Sequence, residues 1–563
     1  MALGRKRIRL GEILIREGCL NEEELQRALS LQKGTGKRLG EILVENAIVT
    51  GDELAQALSN QLGYARVDMS TVDVPQEILD LVPVNVLKKH GVLPFSYKPD
   101  SPNTLLVAMS DPMDLTAIDD VSIVSNLAVE PVVSTAQSIM LALDKYYGLS
   151  DLQSAAEQYA AEKVAFAEET IEENEDIRNS PIVQLVTSMV ESAVRQRASD
   201  IHIEPLERTV RVRYRIDGAL YDRASYQPSV LPAIVTRIKI ISGMDISEKR
   251  KPQDGRMTQV VDQLEYDIRV SSIPTVFGEK IVLRLASKTA LNRSKDQLGM
   301  RPEEIEKFDH IISNPHGIFL VTGPTGSGKS TTLYTALAAL NKEEVNIITV
   351  EDPVEANING VNQIQVNPRA DLTFASALRS ILRQDPDIIM IGEIRDEETA
   401  QIAVQASITG HLVVSTLHTN SAASTLTRLI DMGVEPYLLA DSMVGVIAQR
   451  LVRKLCPDCK KPVEASTQDK VLLRYPGDKD LTIYERCGCG KCGGTGFVGR
   501  TGVYEIMEIT PVIKRIIEQG GTAEDIREQA LTEGMQTLRM SASRYVMEGI
   551  TTMEEMRKVS FDT

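Results

Sequence analysis

Three things are scarce in this chain: positive charge, long apolar runs and cysteine. Acidic residues number 79 against 62 basic ones, a net charge of −17. That excludes a general nucleic-acid surface, which needs clustered positive charge, and leaves only a local basic patch open. No run of 18 apolar residues occurs, so no membrane span is expected. The opening MALGRKRIRLGE has basic residues but no apolar stretch behind them, unlike a secretory signal. Of the six cysteines, Cys19 stands alone and five fall in the C-terminal quarter. That pattern reads as a metal site in a reducing compartment, not a disulfide framework. A cytoplasmic protein is expected, and any membrane association would go through a partner.

At 563 residues the chain exceeds one core, and roughly three to four domains are expected. The first 62 residues carry helical periodicity. From Val67 the pattern changes: LLVAMSDP reads as a strand with a turn, TAIDDVSIVSNL as a helix, AVEPVVS as a strand. Residues 1–147 are therefore one N-terminal unit, helical and then small α/β. Residues 148–179 carry eight acidic residues between Glu157 and Asp176 against one lysine, the mark of a solvated linker. Ser180-Pro181 starts a helix. DIHIEP, VRVRYRIDGAL, LEYDIRVSSIP and EKIVLRLAS follow as alternating strands, making 180–297 a compact α+β domain. Residues 298–563 alternate apolar strands with helices, the pattern of a parallel α/β sheet.

The chemistry begins at GIFLVTGPTGSGKSTTLYTAL. An apolar strand feeds the loop Gly323-Pro324-Thr325-Gly326-Ser327-Gly328-Lys329-Ser330, with Thr331 opening the helix behind it. The glycines let backbone N–H groups turn inward around phosphates. Lys329 adds a point charge for the β/γ oxygens, and Ser330 offers a hydroxyl to Mg2+. Such a site needs a carboxylate on a neighbouring strand end. DPDIIMIGEIRD supplies Glu393, the candidate for orienting or deprotonating the attacking water. NIITVEDPVE ends in Glu351 and Asp352, although an acidic turn before proline is common. HLVVSTLHTN ends in His418, which alone would read as structural.

GPTGSGKS, VEDPVE, IIMIGEIRD and GHLVVSTLHTN follow one another as they do in the type II/IV secretion ATPase superfamily, which the chain resembles from Ser180 nearly to its end. RASDIHIEP and the RYRIDG strand share in the resemblance. It implies a RecA-like motor domain, a PAS-like α+β domain before it, and a homohexamer that hydrolyses ATP. It also implies that Arg269, Arg284, Arg379 and Arg383 cap the nucleotide. A γ-phosphate does need cationic clamps, though singly each arginine would read as a surface ion pair.

Cys456-x-x-Cys459 and Cys489-x-x-Cys492 lie 29 residues apart among glycine-rich turns, a spacing that suits tetrahedral zinc. Cys487 competes, but Cys487-x-Cys489 lacks the knuckle spacing. The family's insert, here CPDC and CGKCGGTGFVGR at about 453–502, implies Cys489 and Cys492. The insert typifies assembly and secretion motors.

RLGEILIREGCLNEEELQRALSLQ at 9–32 recurs as RLGEILVENAIVTGDELAQALSNQ at 38–61, with twelve of 24 positions identical. A duplicated helical hairpin explains the recurring leucines, but core packing does not require Arg and Gln to repeat. The tandem resembles the cyclic di-GMP-binding motif of certain pilus and secretion ATPases. There each copy takes half of the dinucleotide. The positions implied are Arg9, Leu10, Gly11, Leu14, Leu25, Leu29 and Gln32, then Arg38, Leu39, Gly40, Leu43, Leu54, Leu58 and Gln61. Together these readings imply a cyclic di-GMP-regulated motor for type IV pilus assembly, acting on a platform protein in the inner membrane. The alternatives are a type II secretion ATPase and a nucleic-acid translocase.

Overall fold

The computed structural model describes residues 10–16, 18–32, 39–46, 48–143, 145–147, 180–262, 264–287 and 294–560. Arg9, Arg38, the spacer between the repeats and the acidic linker 148–179 lie outside the described residues.

The repeat is structural as well as textual. Helices Leu10–Arg16 and Glu22–Gln32 recur as Leu39–Glu45 and Gly51–Leu62. The start of each second helix is capped the same way. Asn21 accepts from the Glu24 N–H at 2.8 Å while its own N–H reaches the Glu24 carboxylate at 2.9 Å. Thr50 and Glu53 make the same exchange at 3.2 and 2.7 Å. Leu14 and Leu43 are fully buried in one small core that draws on both copies. A three-stranded sheet, ordered Val92–Lys98, Ser101–Met109, Ala128–Val133, follows with its own core.

Residues 180–287 form a six-stranded antiparallel sheet with helices Pro181–Arg195 and Leu231–Ile241 sharing its core. The segment VRVRYRIDGAL, read above as one strand, is two. Val210–Ile216 pairs with Ala219–Tyr226 across a two-residue turn, Asp217 (φ 49) and Gly218 (φ 86). Two consecutive left-handed residues, Asp-Gly, favour a tight hairpin over a continued strand.

The remainder is built on a seven-stranded sheet. Its order is Asn362–Gln365, Ile347–Glu351, Ile388–Ile391, Leu412–Leu417, Gly317–Thr322, Met443–Leu455 and Phe497–Glu508. Only the last pairing is antiparallel. The central strands are buried on both faces. Ile318 and Leu320 enter one core, Phe319 and Val321 the other. That is why these strands read as continuous apolar runs. Thr322 is level with Leu417, and Val350 with Ile391. The register brings the residues that follow (Gly323, Glu351, Glu393 and His418) to one edge of the sheet.

Candidate functional site

The loop after Thr322 closes on itself. Gly323 (φ 149), Gly326 (φ 81) and Gly328 (φ 89) all take left-handed backbone, and a Cβ on Gly323 would lie 2.5 Å from the Gln449 carbonyl. The twelve-residue helix Lys329–Leu340 starts here. Lys329 Nζ donates to the carbonyls of Gly323 (2.8 Å) and Pro324 (3.2 Å). Burial pushes its pKa down to about 8. The Glu393 carboxylate opposes the shift, and the Arg450 guanidinium adds to it. The Ser327 hydroxyl is buried without a hydrogen-bond partner. Pro324, Thr325, Gly326 and Ser330 are exposed, and Thr331 half-buried. A glycine-rich loop at a helix N-terminus, with a cation inside it, fits a phosphate chain. The open Ser330 hydroxyl fits a Mg2+ ligand.

Glu393 is the best-placed carboxylate. Its side chain is 16% exposed, paired with Arg395 and 3.3 Å from His418 Nε2. Burial raises its pKa, but Arg395 and His418 outweigh burial and hold it below the usual carboxylate value. It is therefore ionised at neutral pH. Glu351 sits differently. It is buried and accepts from Tyr334 Oη (2.5 Å), Thr349 Oγ1 (2.7 Å) and Gln363 Nε2 (3.0 Å). Three donors on one carboxylate make it a brace between the loop helix and the sheet edge.

The four arginines are not gathered at the loop; each is engaged with a neighbour. Arg269 reaches Glu355 at 2.9 Å, from the six-stranded sheet to the segment after Glu351. Arg284 pairs with Asp200 at 2.9 Å, Arg379 pairs with Glu398, and Arg383 donates to the Arg379 carbonyl at 2.8 Å.

The cysteines do converge. Strands Met443–Leu455 and Phe497–Glu508 are antiparallel neighbours, with Leu455 opposite Phe497, so the two knuckles meet at one end. The Sγ atoms of Cys456, Cys459, Cys489 and Cys492 all lie within 4.8 Å of one another. Three of the separations are 3.8, 3.9 and 3.7 Å. A zinc ion with Zn–S bonds of about 2.3 Å needs sulfurs about 3.8 Å apart, so the residues present fit it. N–H groups of Gly488, Cys489 and Gly496 point at the sulfurs at 3.1–3.3 Å, as a thiolate cluster requires. Cys487 is exposed and outside the group.

In the repeat, Leu10, Leu25, Leu29, Leu39, Leu54 and Leu58 are only half-buried, as are Gln32 and Gln61. They leave apolar and polar surface together for a ligand. The repeated glycines have a packing reason. A Cβ on Gly11 would lie 2.8 Å from Leu25, and one on Gly40 3.1 Å from Leu54.

Three neighbours of the loop escape a motif reading: Arg395, Gln449 and Arg450. Arg395 lies inside IIMIGEIRD, one residue beyond the Glu393 dipeptide. Gln449 and Arg450 are a polar pair within the apolar run VGVIAQRLV, and a buried polar pair in a central strand is the signal that could have found them.

Two outcomes follow from this geometry. Above pH 8 the free loop holds Lys329 neutral, whereas a bound phosphate chain favours the ammonium. Nucleotide binding at pH 9 is thus expected to take up a proton. Calorimetry in buffers of different ionisation heat reads that uptake, and Lys329→Arg should abolish it. Purified protein should hold about one zinc per chain by elemental analysis. Cys456→Ser/Cys489→Ser should lose the metal, while Cys487→Ser keeps it.

The family described as "Type II/IV secretion system protein" matches residues 175–558, and the MshEN domain matches residues 62–152. The chain is 43% identical over 559 residues to the type IV pilus assembly ATPase PilB of Myxococcus xanthus, covering 97% of this chain and 98% of the relative. It is 51% identical over 383 residues to the type II secretion system protein HxcR of Pseudomonas aeruginosa, covering 68% of this chain and 78% of that one. Among solved structures, the Legionella pneumophila ATPase DotB superposes with a TM-score of 0.51 at 20% identity, over 70% of this chain and 98% of that chain, a likeness of fold. The match to most of the chain and a relative aligned nearly end to end agree with the phosphate loop and its carboxylate: the chain belongs to the type II/IV secretion system protein family, and it is an ATP hydrolase.

Proposed function

We propose that this chain is the ATPase motor of type IV pilus assembly, working as a homohexamer under cyclic di-GMP control. The observation that carries the reading is the reach of the similarity. The pilus assembly relative aligns over 97% of this chain, whereas the secretion relative aligns over 68%. The higher identity to that secretion relative, 51%, keeps a type II secretion client as the second reading. A net charge of −17 disfavours a nucleic-acid translocase.

In this reading, 298–563 is the RecA-like motor and 180–297 the PAS-like domain beside it. Residues 1–147 are the dinucleotide sensor, joined through 148–179, and zinc holds the insert at about 453–502 closed. Gly323 to Thr331 cradle ATP, and Ser330 would hold a Mg2+ ion, which would supply positive charge to the phosphates. Glu393, ionised and oriented by His418 and Arg395, positions the attacking water, and Glu351 keeps the loop helix in place. Arg269 and Arg284 belong to one domain, the loop to the other. Their carboxylate partners Glu355 and Asp200 are stand-ins that a γ-phosphate can replace. Exchange closes the cleft, and loss of the phosphate opens it. No helix among the described residues is long and apolar enough to cross a membrane. The motion would therefore pass to a platform protein in the inner membrane from the cytoplasmic side.

Deleting the gene is expected to remove surface pili and leave protein secretion intact. The wild-type chain should restore pili, and Glu393→Gln should not, because a positioned base contributes ~10²–10⁴ in rate. Lost secretion with normal pili would move the chain to the second reading.

For the sensor, Arg9→Ala and Arg38→Ala should each weaken cyclic di-GMP binding by the full chain roughly ten- to hundred-fold. Each removes charge-assisted hydrogen bonds of ~1.5–3 kcal/mol. Calorimetric titration with melts of each variant is the check. Binding lost at an unchanged melting temperature is expected, and undiminished affinity in both variants returns the repeat to a purely structural hairpin pair.

A further inference from the structure

The strand Met443–Leu455 runs past the end of its neighbour Gly317–Thr322. Ala448 is level with Thr322, so Gln449 and Arg450 stand beside the first residues of the phosphate loop. Both are buried. Gln449 accepts from Thr332 Oγ1 at 2.8 Å, pinning this strand to the first turn of the loop helix.

Arg450 reaches further. Nη1 donates to the Gln449 carbonyl at 3.1 Å and lies 3.2 Å from where a Cβ on Gly323 would stand. Nη2 donates to Asn420 Oδ1 at 3.1 Å. Asn420 follows the strand Leu412–Leu417, which lies on the other side of Gly317–Thr322. The guanidinium therefore crosses the junction of strand and loop and ties the two flanking strands together. Two residues before Asn420 stands His418, the partner of Glu393. Thr322 Oγ1 accepts from the Thr419 N–H at 2.8 Å within the same segment. Beyond it, the buried Glu505 carboxylate accepts from Ala422 N at 2.8 Å and from Leu538 N at 3.3 Å, holding two helix starts.

A second cation here is unfavourable in itself, since Arg450 helps depress Lys329. The fork geometry explains its use. A guanidinium holds its donors in a rigid planar fork, so Nη1 and Nη2 fix the Gln449 carbonyl and Asn420 in one geometry, which the rotating point charge of an ammonium specifies less well.

We propose that Arg450 is a positioning residue for ATP hydrolysis. By strapping Asn420 to the base of the phosphate loop, it sets where His418, and through it Glu393, stand relative to bound nucleotide. The inference rests on the roles proposed above for Glu393 and His418.

The test is a steady-state double-mutant cycle on the full chain. Asn420 is exposed, so Asn420→Ala should fold normally. It and Arg450→Ala should each lower kcat about tenfold while KM stays within about threefold, because orientation is lost and binding is kept. The double variant should be no slower than the worse single one. Arg450→Lys should recover only part of kcat. A folded Asn420→Ala with kcat within about twofold of wild type overturns the proposal. So do losses that multiply to about a hundredfold in the double variant. If Arg450→Ala does not fold, Arg450→Lys takes its place in the cycle, and an unchanged kcat in Asn420→Ala still overturns it. Glu393→Gln is measured alongside. Normal turnover there removes the Glu393 assignment, while the coupling between Arg450 and Asn420 is judged by its own cycle.

Discussion

The in-register parallel pairing of the central strands is what the site depends on. Gly317–Thr322 and Leu412–Leu417 pair residue for residue from Gly317–Leu412 to Thr322–Leu417 without a slip. Ile347 to Val350 pair with Ile388 to Ile391 in the same way. Shifting one strand by a single residue would turn its apolar set from one core to the other. It would also carry Glu393 or His418 away from the loop. The two cores on either face therefore fix the register, and the register fixes the active edge. Burial of Ile, Val and Leu sets this register, and hydroxyls at the strand ends, Thr322 to the Leu417 carbonyl and Thr416 to the Gly392 carbonyl, then pin the carboxylate, the imidazole and the phosphate loop at one edge.

The edge is coupled outward by polar contacts of another kind. Glu351 braces the loop helix through Tyr334. Arg453 pairs with Glu555 at 2.8 Å, stacks over Phe497 and approaches the Tyr221 hydroxyl at 3.3 Å. It joins the strand that carries Arg450 to the last helix, to the exit of the cysteine insert and to the six-stranded sheet. Glu555 is held at about 2 by Arg453 and Lys558 despite its burial. The pair thus stays ionised across the physiological range. The cysteine-bearing segment is consequently tied to the seven-stranded sheet at both of its ends.

Much of this was legible in the sequence, and for a physical reason. Strands buried on both faces, a glycine-rich loop and two Cys-x-x-Cys pairs are local patterns, and local chemistry dictates them. The misreadings have reasons too. Alternation continues through Asp217 and Gly218, so one strand was read where a hairpin turns. The edge strand Gln253–Val261 is polar at five of its nine positions and buries only Met257 and Val261, so its apolar alternation is too weak to read. The partners of Arg269, Arg284 and Arg379 lie 86, 84 and 19 positions away in the chain. No spacing rule reaches that far. The polar pair in VGVIAQRLV marks Arg450 as unusual, but its role depends on which strands flank Gly317–Thr322, and that is not written in the sequence.

The duplicated hairpin has one more consequence. The first helix of each copy packs on the second helix of the other copy, and both feed a single core. A chain holding one copy would leave Leu14 and Ala28, or Leu43 and Ala57, facing water. The two copies thus pack as an internal dimer, and because they share one chain their association does not depend on concentration.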